Sequence, residues 1–220
     1  MKILVIAPHP DDEVLGVGAS MAKYAEEGNQ VFVCIVTRAK QPLFTEAFAV
    51  KAREETIKAH RQLGVSEAFF LDFPAVMLEN VPRYEMNDKI CDIIQRTKPD
   101  IVYIPHFGDM QKDHQLVAEA AMVALRPKYE HRVGEVYAYE TLSETEWNTP
   151  HSTNTFIPNT YVDVTGYLEK KLEAMSCYGT QLAQFPNPRS LEAIIALAKL
   201  RGSTIQVEAA EAFSLIRKAC

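Results

Sequence analysis

Short apolar runs alternate with longer segments of helical periodicity through the first part of the chain, and this alternation constrains the fold most strongly. The apolar runs are bounded and partly β-branched, which is typical of buried strands, and they cover residues 2–7, 30–37, 68–71 and 101–104. Helical spacing follows each run, from Val14 to the break at Gly28 and over residues 46–63, 84–96 and 115–125. This pattern predicts an α/β fold with a Rossmann-like, doubly wound, mainly parallel sheet flanked by helices.

The pattern loosens beyond residue 130. Strands are predicted at residues 133–139, 161–164 and 212–216, and helices at 168–178 and 191–200. The polar segment 140–160 is longer than an ordinary connection, so we predict that it forms a lid or a binding loop. The length of 220 residues fits a single α/β domain over residues 1–220, with 161–220 as a C-terminal extension packed on the same domain.

Charge and composition argue against two kinds of partner. The chain has 23 Lys and Arg residues against 29 Asp and Glu residues and a net charge of −6, whereas a nucleic-acid-binding domain is normally basic. It has no cluster of Lys and Arg that would form a membrane-surface patch. The first apolar run ends at Pro8 and is too short for a signal peptide or a membrane span, so we expect a cytoplasmic protein with no integral membrane segment.

Scattered cysteines without a C-x-x-C pair predict free thiols at Cys34, Cys91, Cys177 and Cys220.

An imidazole and three carboxylates follow the first strand, at His9, Asp11, Asp12 and Glu13, and Pro10 is expected at the first helical position. Two interpretations of this cluster compete. The acids can simply complement the positive end of the helix, which contributes about 0.3–1 kcal/mol each. Alternatively, His9 and Asp12 hold a divalent cation while Asp11 faces a metal-bound water.

A second polar cluster follows the fourth strand, where the predicted loop 106–114 contains Asp109, Asp113 and His114. Parallel strands end at one edge of a sheet, and ligands bind there, at the point where the strand order reverses. An assumed order of 3-2-1-4-5 makes strands 1 and 4 neighbours at that point, so the two clusters are expected to meet. Two imidazoles and one carboxylate are typical catalytic ligands of Zn²⁺, and the same set suits Fe²⁺ or another divalent metal. Asp113 is expected to orient an imidazole.

Together the two clusters resemble the signature of the PIG-L/LmbE-like family of zinc-dependent N-acetylglucosaminyl de-N-acetylases, an A-H-P-D-D-E turn followed later by H-x-D-H. The corresponding segments here are A-P-H-P-D-D-E at residues 7–13, with an additional Pro before the His, and Q-K-D-H at residues 111–114. A weaker likeness extends to Y-G-T-Q at 178–181 and P-R-S-L-E-A at 188–193. The resemblance covers most of the chain in element order and implies an LmbE-like version of the doubly wound fold.

The resemblance implies a metal-dependent hydrolase that removes the N-acetyl group from a GlcNAc-like sugar derivative, such as a glycoside, a glycolipid or a sugar-nucleotide precursor. It implies zinc held by His9, Asp12 and His114, and Asp11 as the general base that deprotonates the metal-bound water. Gln111 and Asp113 occupy the other catalytic positions of the motif. The expected partner is a small N-acetylated sugar, and analogy with related proteins adds a homo-oligomer.

Gln111 departs from the family pattern, which has a histidine at this position that serves as oxyanion stabiliser or acid. A glutamine amide donates a hydrogen bond but gives up no proton. Losing one such stabiliser typically costs about 100- to 1000-fold in rate. Three explanations stay open: Asp11 serves as both base and acid, a nearby histidine (His106, His131 or His151) substitutes, or the residue was introduced to trap a complex.

Three further residues are predicted to bind substrate, namely Arg53, Asp109 and Arg189, and each has a structural alternative. Arg53 lies in an Arg-Glu-Glu context like that of the family and is otherwise a solvated helix charge. Asp109 either binds a sugar hydroxyl or caps a turn. Arg189, between a turn and a helix start, suits an anionic substrate group and is otherwise a structural cap.

Other functions remain open alongside the de-N-acetylase. One is an amidase that cleaves a sugar-thiol conjugate at the same kind of amide. Another is a sugar-binding or regulatory protein in which Gln111 marks lost catalysis. A nucleotide-binding domain is disfavoured, because the first βα turn holds carboxylates instead of a glycine-rich phosphate loop.

Overall fold

The computed structural model describes residues 1–128 and 130–219, which form one sheet with helices on both faces. The strands of the sheet are β1 (Lys2–Ala7), β2 (Gln30–Arg38), β3 (Glu67–Pro74), β4 (Ile101–Pro105), β5 (Glu135–Tyr139), β6 (Thr160–Asp163) and β7 (Ala210–Lys218). The helices are α1 (Asp12–Glu26), α2 (Glu46–Leu63), α3 (Arg83–Thr97), α4 (Lys112–Ala124), α5 (Leu168–Met175) and α6 (Leu191–Thr204), with a short 3₁₀ turn at Leu78–Asn80.

The strand order across the sheet is β3-β2-β1-β4-β5-β7-β6. The first five of these strands are parallel, and β7 pairs antiparallel with both β5 and β6. The predicted doubly wound, mainly parallel sheet is therefore confirmed, including the order assumed for strands 1 to 5. The order reverses between β1 and β4, where Ile3 lies beside Ile101 and Val5 beside Tyr103. The carboxyl ends of β1 and β4 thus adjoin at the place where open α/β sheets bind ligands.

The central strand β1 shows how the core supports this edge. Its apolar residues from Ile3 to Ala7 are fully buried, because a central parallel strand is covered by helices on both faces. Ile3 and Val5 pack with residues of α1 and α2, whereas Leu4 and Ile6 pack with residues of α3 and α4. Each fully buried aliphatic side chain contributes about 1.5–3 kcal/mol. The strand that leads into the first polar cluster is therefore anchored by buried apolar side chains on both faces of the sheet.

Two helices start at residues other than those expected. α4 begins at Lys112, so Asp113 and His114 lie in its first turn and outside the preceding loop. The apolar periodicity alone begins only after His114, whereas an acid in the first turn already favours the helix. α1 begins at Asp12, and Pro10 is not its first residue, because Asp11 has a left-handed backbone with φ of 107° that separates Pro10 from the helix.

The C-terminal residues complete the sheet and its helical cover. β7 lies between β5 and β6, and α5 packs its buried face with residues of α1 and α2. Lys171 on α5 forms a buried ion pair with Glu211 on β7, with an Nζ to Oε1 distance of 2.6 Å. Among the residues that the structure describes, no helix combines the length and hydropathy needed to span a bilayer. Cys34, Cys91 and Cys177 are free thiols as predicted, and Cys220 lies outside the described residues.

Candidate metal centre and active site

The turn after β1 presents Asp11 and Asp12 at the carboxyl edge of the sheet. Asp11 lies at φ 107° and ψ −29°, a left-handed conformation that non-glycine residues seldom adopt. Its amide donates a hydrogen bond to Glu13 Oε2 at 3.2 Å. Strain of this kind costs about 1–3 kcal/mol and persists where the surroundings enforce it, typically at functional sites.

The structure brings His9, Asp12 and His114 together where β1 and β4 end. One ligand atom from each of the three lies within 4.8 Å of the others. Asp12 Oδ2 is 3.3 Å from His9 Nδ1 and 3.2 Å from His114 Nε2. The topology that the sequence predicted therefore places these three side chains in one cluster.

The polar atoms of this cluster fit a metal ion. Asp12 Oδ1 and His114 Nε2 are buried and make no hydrogen bond within the described residues. His114 Nε2 is near Asp12 Oδ2, but the geometry is not that of a hydrogen bond. An unsatisfied buried polar group costs about 1–3 kcal/mol, so both atoms require a partner such as a cation. Two imidazoles and a carboxylate are suitable ligands for zinc or ferrous iron.

The electrostatics of the cluster also favour a cation. Burial acts to lower the pKa of His114, but the carboxylates of Asp12 and Asp109 outweigh burial and hold that pKa well above its usual value. Burial acts to raise the pKa of Asp12, yet His114 and His9 hold it well below the usual range. The carboxylate of Asp12 thus remains ionised, and a bound metal would take the place of the imidazole protons.

A carboxylate contacts the ring nitrogen of His9 that faces away from Asp12. Asp113 Oδ2 lies 3.0 Å from His9 Nε2 and accepts the Val76 amide at 2.6 Å, and its other oxygen accepts the Leu78 amide at 3.3 Å. Asp113 therefore orients His9, across the sheet edge, and not its sequence neighbour His114. Val76 holds its amide in place at φ 62°, which is rare for a β-branched residue.

Asp109 supports the second imidazole in the same way. Its Oδ2 lies 2.9 Å from His114 Nδ1, and its Oδ1 accepts the Thr145 hydroxyl at 2.6 Å. The residue is fully buried and both oxygens are engaged, so the structure places Asp109 at His114 and not at a surface that a sugar hydroxyl could reach. Thr145 belongs to the 140–160 segment, whose role as a lid stays a prediction.

Asp11 is adjacent to the metal cluster and contacts Arg189. Arg189 Nη1 lies 3.0 Å from Asp11 Oδ2 and 2.9 Å from Gln181 Oε1, and Arg189 Nε donates to Ser143 Oγ at 2.8 Å. Asp11 Oδ1 is buried with no hydrogen bond within the described residues. Burial raises the pKa of Asp11 to about 8 although Arg189 opposes this shift. Arg189, predicted to bind substrate, thus makes its closest ionic contact with the predicted general base.

The buried residues that hold Glu13 are not among the predicted site residues. Glu13 Oε1 accepts the Tyr178 hydroxyl and lies 3.0 Å from His60 Nε2, while its other oxygen accepts the Asp11 amide. His60 is only 4% exposed, and its contact with Glu13 places it in the core. The only available signals were the third acid of the first motif and the weak likeness at residues 178–181.

The structure separates Gln111 from the histidines that were considered as its substitutes. Gln111 occupies the N-cap position of α4 without a side-chain capping hydrogen bond, and it lines a cleft together with His9 and Asp11. Its Oε1 is buried without a partner in the described residues. The Nε2 atoms of His106 and His131 contact backbone carbonyls, of Asn154 at 3.0 Å and Pro99 at 2.8 Å. His151 is exposed and pairs with Thr153. The observed contacts of these three histidines are therefore all outside the metal cluster.

The cleft beside Asp11 has a volume of about 180 Å³. Arg53 lies on its wall, pairs with Asp72, and stacks its guanidinium 3.6 Å from the ring centre of Phe70. A larger apolar cavity of about 560 Å³ is lined by α3, α4 and neighbouring strands and contains none of the predicted site residues. The predicted site residues His9, Asp11, Arg53, Gln111 and Arg189 line the 180 Å³ cleft. A further cavity of about 360 Å³, lined mostly by residues 140–156 and by Arg201, contains none of them.

Comparison with known proteins shows a consistent family. The model of a family described as GlcNAc-PI de-N-acetylase (PIG-L) matches residues 4–125. An uncharacterized deacetylase, YaiS of Escherichia coli, is 30% identical over 182 residues, covering 79% of this chain and 88% of the relative. Diacetylchitobiose deacetylase of Thermococcus kodakarensis is 27% identical over 203 residues, covering 84% and 70% of the two chains.

Two further likenesses bear on fold and on function. The crystal structure of protein TT1542 from Thermus thermophilus superposes with a TM-score of 0.80 at 25% identity, covering 99% of this chain and 96% of that one. A 4-oxalmesaconate hydratase of Pseudomonas putida is 28% identical over 206 residues, covering 81% and 73%. The relatives of this chain therefore include proteins named for two different reactions, deacetylation and hydration.

Proposed function

Since the chain belongs to the PIG-L family, we propose that it is a metal-dependent de-N-acetylase that hydrolyses the N-acetyl amide of a GlcNAc-like sugar derivative. His9, Asp12 and His114 would hold the cation, for which zinc is the first choice. The observation that supports this proposal most directly is the unpaired Oδ1 of Asp11 in a buried position beside the unpaired ligand atoms of Asp12 and His114.

The chemistry requires one base and one electrophile. A cation at this site would polarise a carbonyl, would lower the pKa of a coordinated water to about 7, and would keep Asp11 ionised against the burial that raises its pKa. Asp11 accepts the proton as the water oxygen bonds to the amide carbon. The C–N bond then breaks, and Asp11 returns the proton to the departing amine, so that acetate and the free amino sugar are released. Arg189 holds the carboxylate of Asp11 in place through Oδ2 and leaves Oδ1 available for this proton.

Gln111 has a place in this scheme as a hydrogen-bond donor. It lines the cleft beside His9 and Asp11, and its amide nitrogen can donate to the carbonyl oxygen as that oxygen gains negative charge. It supplies no proton, and the contacts of His106, His131 and His151 direct these rings elsewhere. We therefore assign both proton transfers to Asp11.

Acetate release tests the proposal. The zinc-loaded protein should release acetate from at least one member of a panel of N-acetylated sugars. The Gln111→His variant should be faster, by up to about 100-fold, because it restores a stronger oxyanion stabiliser. Gln62→His, on an exposed part of α2, is the control and should match the parent.

Absence of acetate from both the parent and Gln111→His would refute the de-N-acetylase. Cleavage of a sugar-thiol conjugate at its amide would then indicate the conjugate amidase, and sugar binding without cleavage would indicate a binding protein. Hydration of 4-oxalmesaconate without amide cleavage would instead indicate a hydratase like the Pseudomonas putida relative.

A further inference from the structure

The cleft beside Asp11 has one apolar wall. Phe44 and Phe48 stack there with ring centroids 5.5 Å apart. Phe70 on β3 and Val76 in the turn that follows β3 line the same cavity, and Val76 is 43% exposed. Exposed apolar surface in a concave site is typical of ligand contact.

The position of this wall connects it to the reaction. The same cavity is lined by His9, Asp11 and Gln111, which follow β1 and β4, and by Ala49, Ala52 and the phenylalanines, which belong to α2, the segment before it and β3. Because β2 lies between β1 and β3, the two groups are at opposite ends of the cleft. A sugar whose acetamido group reaches Asp11 would therefore direct another part of the substrate toward Phe44 and Phe48. That second part is the aglycone or its equivalent.

The positive charges that line the cleft already have partners. Three arginines line the cavity, and each already pairs with a carboxylate: Arg38 with Glu46, Arg53 with Asp72, and Arg189 with Asp11. An anion would have to compete with these carboxylates for the guanidinium groups. The apolar wall, in contrast, offers no hydrogen-bond partners, so a polar group placed against it would lose its hydration, whereas an apolar group would be stabilised.

We propose that this cleft binds an apolar aglycone, so that the substrates are N-acetylated hexosaminides carrying an alkyl or aryl group. The proposal rests on the proposed de-N-acetylase function and specifies its substrate class. It also changes the expectation for Arg189, which we infer to hold Asp11 and not an anionic substrate group.

The test compares methyl and hexyl glycosides of GlcNAc, in both anomers, together with a glycoside bearing a short carboxylate chain. We expect kcat/KM for the hexyl glycoside to exceed that for the methyl glycoside by at least about tenfold, because each fully buried methylene contributes about fourfold. The hexyl-to-methyl ratio should fall toward one in Phe48→Ala. Tyr84→Ala, which removes a 65% exposed aromatic on a distant helix, should leave the ratio unchanged.

Direct binding separates failure of this proposal from failure of the proposed function. Isothermal titration calorimetry with the hexyl and methyl glycosides measures the same preference without turnover, and thermal unfolding checks that Phe48→Ala is folded. If Phe48→Ala fails to fold, Phe44→Ala takes its place. Tighter binding of the hexyl glycoside that is lost in the variant supports the apolar cleft even if no acetate is released.

Two results would overturn the proposal. One is equal binding and equal kcat/KM for the methyl and hexyl glycosides. The other is a preference for the carboxylate-bearing glycoside that disappears in Arg53→Ala, which would show that the cleft recognises an anion.

Discussion

The catalytic end and the apolar end of the cleft are built in opposite ways. At the catalytic end His9 and His114 each have a supporting carboxylate, and Asp11 has Arg189 and Glu13. At the apolar end the rings of Phe44 and Phe48 are partly exposed and touch each other. Orientation therefore depends on hydrogen bonds at one end, whereas only shape and apolar area count at the other. We expect substitutions at the first end to lower kcat or metal affinity, and substitutions at the second to change selectivity.

Replacing the base should have the largest effect. Asp11→Asn keeps the size of the side chain but removes the proton acceptor, so kcat should fall by about 10²- to 10⁴-fold while the metal stays bound. Steady-state kinetics with zinc quantification on the same sample measures both. Loss of metal in parallel with activity would mean that Asp11 is a ligand and would contradict its role as base.

Removing the group that fixes the Asp11 backbone should have the next largest effect. Glu13→Ala removes the carboxylate that accepts a hydrogen bond from the Asp11 amide, so the left-handed backbone of Asp11 is free to shift. A displacement of about 1 Å at a reacting group can cost about 100-fold in kcat. Glu55→Ala is the control, because Glu55 is also a buried carboxylate but bonds Thr180 and not Asp11. If both variants lost kcat and thermal stability equally, the role of Glu13 would be structural and it would not specifically position Asp11.

The carboxylates behind the imidazoles should affect the metal more than the chemistry. Asp113→Asn and Asp109→Asn each weaken the orientation of one ligand, and metal affinity should fall by about 10- to 100-fold. Chelator competition measures this directly. Asp100→Asn, which alters an aspartate that accepts the Lys2 amide at the other end of β1, should have no effect on affinity. An unchanged affinity in Asp113→Asn would exclude it as the partner of His9.

The smallest effect should come from Val76, whose amide donates to Asp113 and whose side chain lines the apolar end of the cleft. Its backbone at φ 62° is strained, so Val76→Gly should raise the free energy of unfolding by about 1 kcal/mol. Val50→Gly on the exposed face of α2 should instead lower it by about 1 kcal/mol. Chemical denaturation measures both changes. Destabilisation by Val76→Gly equal to that of Val50→Gly would show that the backbone at Val76 is not strained.

The parallel half of the sheet and the metal cluster could be predicted because they depend on local patterns. The apolar runs predict β1 and β4. Because these strands are neighbours in the sheet, the motifs that follow them lie close together. The partners of each imidazole could not be predicted in the same way. Asp113 lies next to His114 in sequence but bonds His9, because the first turn of α4 points its carboxylate toward the Val76 amide.

The contacts that the C-terminal part makes with the first motif could not be predicted from the sequence either. Arg189 was expected to bind substrate, and its contact with Asp11 joins residues 178 positions apart. Tyr178 reaches Glu13 across a similar separation. Such pairs depend on how α5 and the following connector pack against α1, which no pattern within either segment records.

The most direct test of the metal centre is elemental analysis of the purified protein by mass spectrometry, for the parent and for His114→Ala. The arrangement of His9, Asp12 and His114 predicts about one divalent ion per chain in the parent and its loss in the variant. A parent without metal after zinc loading, or a variant that keeps the full complement, would contradict the metal centre on which the proposed hydrolysis depends.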